Sequence, residues 1–171
     1  MSTKQQTSSA YFRTVQVIYY ALVAGQVIFG IVALYLNQNS KFYYDTKGVG
    51  NTILYIVALF VFGGSAVSNL VFRNMISAIK SRGTLTEKMT AYRSALIAKY
   101  SLLEGTSLFS IVAYYLTGNL LFLALSGLII IVFLTIKPTT DRAAKELELN
   151  LNDEQAINDP NRVIAEIEIM K

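Results

Sequence analysis

In 171 residues the chain carries 53% hydrophobic side chains against 15% charged ones, for a net charge of +4 and a mean hydropathy of +0.44. Soluble domains are about a quarter charged, so this composition excludes an ordinary water-soluble globule and indicates a chain built for lipid. Cysteine, histidine and tryptophan are absent, which excludes disulfides, thiol chemistry, imidazole proton transfer and most zinc, haem and iron–sulfur ligation.

Residues 1–14 form a polar N-terminus holding Lys4 and Arg13. The first hydrophobic segment covers residues 15–36, and no Asp, Glu, Lys or Arg occurs between Thr14 and Leu36. About 20 helical residues cross a hydrocarbon core of roughly 30 Å, so the segment is long enough to span. In lipid the backbone must satisfy its own hydrogen bonds, which leaves helices or closed barrels, and unbroken apolar runs without two-residue alternation exclude the barrel. The segment exceeds a signal-peptide core and no A-x-A site follows it, so it is expected to be a retained signal anchor. A second span over residues 52–72 completes a first transmembrane hairpin, residues 15–72. Residues 73–90 form a basic linker with Arg73, Lys80, Arg82 and Lys88. A helix is expected to start near Lys88 and run into a third span over residues 96–116. The fourth span covers residues 120–136 and stops at Lys137-Pro138, closing a second hairpin, residues 91–137. An acidic tail, residues 138–171, follows.

Basic residues set the topology. They gather before the first span, in the linker and Arg93, and after the fourth span at Lys137, Arg142 and Lys145; the other side offers only Lys41 and Lys47, with Asp45 between them. The positive-inside rule therefore puts both termini in the cytoplasm, and the expected location is a bacterial inner (cytoplasmic) membrane. Tyrosines fall where interfacial belts are expected, Tyr11, Tyr19, Tyr20, Tyr92 and Tyr100 inside and Tyr35, Tyr43, Tyr44, Tyr114 and Tyr115 outside.

Shifting the chain by 80 residues lays residues 12–36 (FRTVQVIYYALVAGQVIFGIVALYL) over residues 92–116 (YRSALIAKYSLLEGTSLFSIVAYYL) with ten identities and no gap. Among them are Arg13 with Arg93, Gly25 with Gly105, Phe29 with Phe109, and the Ile-Val-Ala beginning at Ile31 with that beginning at Ile111. This reads as an internal duplication. The second and fourth spans match less well, but both open on Gly-Asn, at Gly50-Asn51 and Gly118-Asn119, and those asparagines suit helix N-caps. Spans one and three run in the same direction, so the repeats are parallel. The expected fold is all-α: a four-transmembrane-helix bundle of two parallel two-helix repeats, with a short cytoplasmic tail.

The copies differ where a charge enters the membrane. Ala24 of the first copy is Glu104 in the second, the one acidic residue in any of the four spans. Twelve residues below Leu116, it lies about 18 Å from the outer end at the helical rise. An ionised carboxylate there costs several kcal/mol unless paired, so it is either partnered or protonated. One reading makes Glu104 a proton- or cation-binding carboxylate. The other makes it a helix-locking group satisfied by Gln26, Ser68, Asn69 or Tyr100. Lys99, five residues away, points about 140° around the helix from Glu104 and is expected to snorkel to the cytoplasmic interface. On span two, Gly63, Gly64, Ser65, Ser68 and Asn69 form a small, polar face suited to close helix packing, as does Gly105 on span three.

The stretch LLEGTSLFSIVAYYL (residues 102–116) resembles the carboxylate helix of the proteolipid (c) subunits of rotary ATP synthases. The likeness lies in Glu104 followed by Leu108, Phe109, Ser110 and Ile111-Val112. The first copy, VIFGIVALYL (residues 27–36), keeps the end of that pattern without the acid. The resemblance implies an ion-binding carboxylate at Glu104, with Gln26 as an accessory ligand. Span two holds only Gly63-Gly64 where that family has a longer glycine series, and the basic linker replaces the family's short polar turn.

The tail carries eight of the eleven acidic residues and a net charge of −4, leaving +8 on the rest. ELELNLN (residues 146–152) and AEIEI (residues 165–169) alternate as half-buried strands do, while Asn152-Asp153 could instead cap a short helix before Pro160. Two readings stand for this segment: a solvated tail, or a docking segment that pairs with a partner or folds onto the chain's own basic linker. No catalytic cluster, metal set or cofactor motif accompanies Glu104, so no enzyme is expected. The expected function is a structural or accessory subunit of a membrane assembly, in a homo- or hetero-oligomer with other membrane proteins and lipid and without nucleic acid. The alternative is a proteolipid-like subunit that binds or translocates a proton or cation at Glu104.

Overall fold

The computed structural model describes residues 2–39 and 50–169. In chain order the elements are β1 (Ser2–Thr7), α1 (Ser8–Asn39), α2 (Gly50–Lys80), α3 (Leu85–Thr117), α4 (Leu120–Thr135), α5 (Thr140–Leu147), α6 (Leu151–Asn158) and β2 (Val163–Ile169). The chain is mostly helical. Three of its helices, α1, α2 and α3, are long and apolar enough to cross a membrane. Helix α4 has 16 residues, about 24 Å at the helical rise and short of a bilayer core by itself. It is long and apolar enough for a fourth crossing only when counted together with α5. Pro138 lies between the two helices, and Thr139 starts α5 by accepting the Arg142 amide on its hydroxyl at 3.2 Å.

Local chemistry sets the other boundaries. Thr84 and Glu87 form a reciprocal capping box: the Thr84 hydroxyl accepts from the Glu87 amide at 3.3 Å, and the Glu87 carboxylate accepts from the Thr84 amide at 3.4 Å. Helix α3 consequently begins at Leu85, three residues before the start expected at Lys88. Helix α3 ends where Gly118 takes φ 69°, a left-handed conformation that glycine adopts without a Cβ clash. Asn119 then caps α4 by accepting the Leu121 amide at 3.0 Å. Its counterpart Asn51 lies inside α2, and its side chain is outside the described residues, as are Lys41, Tyr43, Tyr44, Asp45 and Lys47.

The chain divides into two compact units. One consists of residues 20–70 and 99–136, and its regular elements among the described residues are helices. In it α3 is the element the others share. Helix α2 runs antiparallel to α3: Phe60 stacks on Phe109 with centroids 4.6 Å apart, Gly64 meets Thr106, and the Ser68 hydroxyl donates to the Lys99 carbonyl at 3.0 Å. Helix α4 is also antiparallel to α3. The Ser110 hydroxyl donates to Phe122 O at 2.6 Å, Ser107 and Ser126 share a bond of 2.8 Å, and the Tyr100 hydroxyl donates to Ile136 O at 3.1 Å. Helix α1 runs parallel to α3, with Gly30 against Ile111 and the Asn37 amide donating to Tyr115 O at 3.2 Å. Many large apolar side chains point outward, among them Ile31, Tyr55, Leu59, Phe62 and Ile131. In water such a surface would be an aggregation hazard; against acyl chains it is solvated.

The other unit joins both ends of the chain to residues 71–98. Strands β1 and β2 pair antiparallel from Ser2↔Ile169 to Thr7↔Val163, with an irregularity between Gln6 and Thr7. The acidic tail is thus folded rather than a solvated extension. It folds onto the chain's own linker and the adjoining start of α3: Lys80 pairs with Glu148 at 2.7 Å, Tyr92 donates to Glu146 at 2.6 Å, and Thr90 bonds Glu166 at 3.5 Å. Residues 165–169 are a strand, as their alternation indicates. Residues 146–152 are not. Ala143 and Leu147, one helical turn apart, are both buried in α5. Glu148 then takes φ 49° to end that helix, and Asn150, rather than Asn152-Asp153, caps α6. Capping groups and an i, i+4 apolar pair override a two-residue alternation.

The tyrosines divide in a way the belt reading does not capture. Tyr20, Tyr35 and Tyr115 are exposed, but Tyr11, Tyr19, Tyr92, Tyr100 and Tyr114 are core residues. Tyr11 donates to Met89 O at 2.7 Å and lies 4.7 Å under the Arg93 guanidinium; Arg93 in turn donates to Gln6. A buried phenol needs such a partner, and Tyr11, Tyr92 and Tyr100 find theirs inside the protein.

Candidate functional site

Glu104 lies midway along the apolar half of α3, one residue before Gly105 and two before Thr106. Its side chain is half-buried and makes no hydrogen bond or ion pair among the described residues. None of the four groups expected to satisfy it does so. Ser68 is buried and donates to the Lys99 carbonyl. Tyr100 donates to Ile136 O. Asn69 is exposed. Gln26 is fully buried; its amide nitrogen donates to Leu22 O, one turn back, at 3.3 Å, and its oxygen has no partner.

Gln26 is nonetheless at the right level. Contacting residues of the parallel pair α1 and α3 are offset by 81 at Gly30 and Ile111 and by 78 at Asn37 and Tyr115. Those offsets put Gln26 level with residues 104–107.

The packing candidates separate. A Cβ on Gly64 would overlap the Thr106 methyl, whereas a Cβ on Gly63 or Gly105 would meet nothing within 4 Å. Only Gly64, of these three, sits where two helices of this chain approach closely. Gly105 is exposed beside Glu104, so the carboxylate and a residue without a side chain share one accessible stretch of α3. Lys99 does not reach outward to an interface as expected; it is buried, with 6% of its surface accessible. Among the described residues no group of three or more acidic, histidine or cysteine side chains is arranged to hold a metal.

Sequence reasoning did not single out Thr106, Ser107 and Ser126, which are buried with Ser110 and Gln26 in the helical unit. The available signal was spacing. Ser107 and Ser110 sit three residues apart, and Ser126 lies on the next helix four residues after Phe122, so small polar groups recur at helical intervals on two facing segments. No family model, curated protein or solved structure matches this chain.

Proposed function

We propose that this protein is a structural or accessory subunit of a membrane assembly, crossing a bacterial inner membrane four times with both termini in the cytoplasm. In this reading its four-helix bundle descends from a duplicated two-helix unit. The 78- to 81-residue offset between contacting positions of α1 and α3 supports the duplication, because repeats related by an axis along the membrane normal set equivalent residues at equal depth. The basic linker and the outward apolar surfaces support the placement.

One observation carries the functional reading: Glu104 is half-buried in an apolar helix and has no partner among the described residues. A carboxyl group at that depth is too costly to leave both charged and alone. Its partner in the assembled state is a donor on a neighbouring protein, reached across the open surface at Gly105. A second reading, favoured by the same lack of an internal partner and by the resemblance to proteolipid subunits, gives the carboxyl an exchangeable proton or cation.

The mass of the protein in mild detergent, for the parent and for Glu104→Gln, together with carbodiimide labelling of the parent, tests the two. The assembly reading expects a complex that loses subunits on substitution and a carboxyl shielded from the reagent. An intact complex in the variant, with ready labelling of the parent that competing cations suppress, would replace it with the ion-binding reading.

A further inference from the structure

We propose that one water molecule is bound inside the helical unit where α1, α3 and α4 meet, held by Gln26, Ser107 and Ser126. All three side chains are essentially inaccessible, at 0%, 0% and 1%. Contacts one turn away place them in a common layer. A Cβ on Gly30 of α1 would touch Ile111 of α3 at 3.8 Å and Leu123 of α4 at 3.9 Å. Stepping back four residues along the parallel helices leads from Gly30 to Gln26 and from Ile111 to Ser107. The same step along antiparallel α4 leads forward from Leu123 to Ser126 and Gly127. Gln26 therefore faces the serine pair across the junction.

The hydrogen-bond inventory of this layer does not close. Ser107 and Ser126 carry two hydroxyl protons, and their mutual bond of 2.8 Å uses one. Neither hydroxyl makes another bond among the described residues. On the other side, one proton of the Gln26 amide nitrogen is used on Leu22 O, and the amide oxygen is buried and unpartnered. At least one donor, the second serine proton, and one acceptor, Gln26 Oε1, are left over in a polar layer that bulk water does not reach. A single water complements that remainder: it accepts the free serine proton and donates one of its own to Gln26 Oε1. A bare cation does not, because it cannot accept the serine proton and needs several oxygen lone pairs at once. The bound water joins three helices at one depth and fixes their register, since any slip would strand all three polar groups in an apolar interior. This inference stands on geometry independent of the role assigned to Glu104.

Radiolytic hydroxyl-radical footprinting of the full-length protein in lipid nanodiscs, read by mass spectrometry with oxygen-18 water, tests it. A bound water generates radicals where it sits, so Phe122, buried one turn from Ser126, is expected to be labelled with slow isotope exchange. Phe133, equally buried on the same helix but two turns from Ser126, is expected to stay unlabelled. The Phe122 label is expected to disappear in Gln26→Leu and in the double variant Ser107→Ala, Ser126→Ala, while Phe133 stays protected and shows the helices still packed. Should Gln26→Leu open the bundle and label Phe133, Gln26→Met, which is closer in volume, takes its place. An unlabelled Phe122 in the parent, a label that survives both changes, or a label that varies with sodium concentration would overturn the proposal.

Discussion

The approach of α2 to α3 depends on one glycine, and the neighbouring glycine provides an internal control. Substituting Gly64 by alanine puts a methyl group into space held by the Thr106 methyl. Thr106 cannot turn aside freely, because it is buried and its hydroxyl is tied to Leu103 O at 2.7 Å. Overpacking of this kind costs about 1–3 kcal/mol. It is opposed by the gain of roughly 1 kcal/mol from replacing a helical glycine by alanine. Gly63→Ala separates the two effects. It makes the same propensity gain in the same helix, and its new methyl meets nothing within 4 Å. Gly64→Ala should therefore be less stable than Gly63→Ala by about 1–3 kcal/mol, or about five- to 150-fold in the unfolding equilibrium. Equilibrium unfolding in mixed micelles gives the difference directly. Thr106→Ser removes the methyl and keeps the hydroxyl, so adding it to Gly64→Ala should recover most of the loss. Equal stability of the two alanine variants, or no recovery with serine, would refute this packing.

Other changes have equally definite expectations. Ser68→Ala deletes the bond to the Lys99 carbonyl and should cost about 0.5–1.5 kcal/mol, the usual scale for interhelical bonds in a membrane, in the same unfolding assay. Tyr92→Phe removes the 2.6 Å bond to Glu146. With Glu146 partly solvated and still paired to Arg142 at 2.8 Å, the cost should be about 1–2 kcal/mol, seen as faster proteolysis of the segment after Pro138. Deleting residues 163–171 removes the partner of β1, so backbone amides of residues 2–7 should exchange with deuterium much faster, while those of α4 should be unaffected.

Much of the helical unit was legible because apolar runs of spanning length have few alternatives in lipid. The bases of disagreement are more local. The capping box at Thr84 and Glu87 is written in the sequence as T-x-x-E but is obscured by the surrounding basic linker. The tail was ambiguous because Glu146–Asn152 alternates like a strand, and only the turn-long spacing of Ala143 and Leu147, with caps at Thr139 and Asn150, decides for helices. Tyr100 resembles an interfacial residue in composition; its burial follows from the tilted packing of its ring on Phe133, centroids 5.6 Å apart, and from its bond to Ile136 O, which require knowing which helix lies opposite. The same limit applies to the site. Glu104 stands out as an acid within an apolar span, but whether Gln26, Ser68 or Tyr100 reaches it depends on the faces the helices present, and hydropathy does not encode these.

The central claim is that the face of α3 carrying Glu104 and Gly105 meets another membrane protein. A photo-crosslinking side chain at Gly105 in native membranes tests it most directly, with one at Leu59, an exposed apolar position of α2, as the lipid-facing control. The expected result is one discrete protein adduct at residue 105, absent at residue 59 and lost when Glu104→Gln is added. Lipid adducts alone at both positions, or a protein adduct at 105 that Glu104→Gln leaves unchanged, would contradict it.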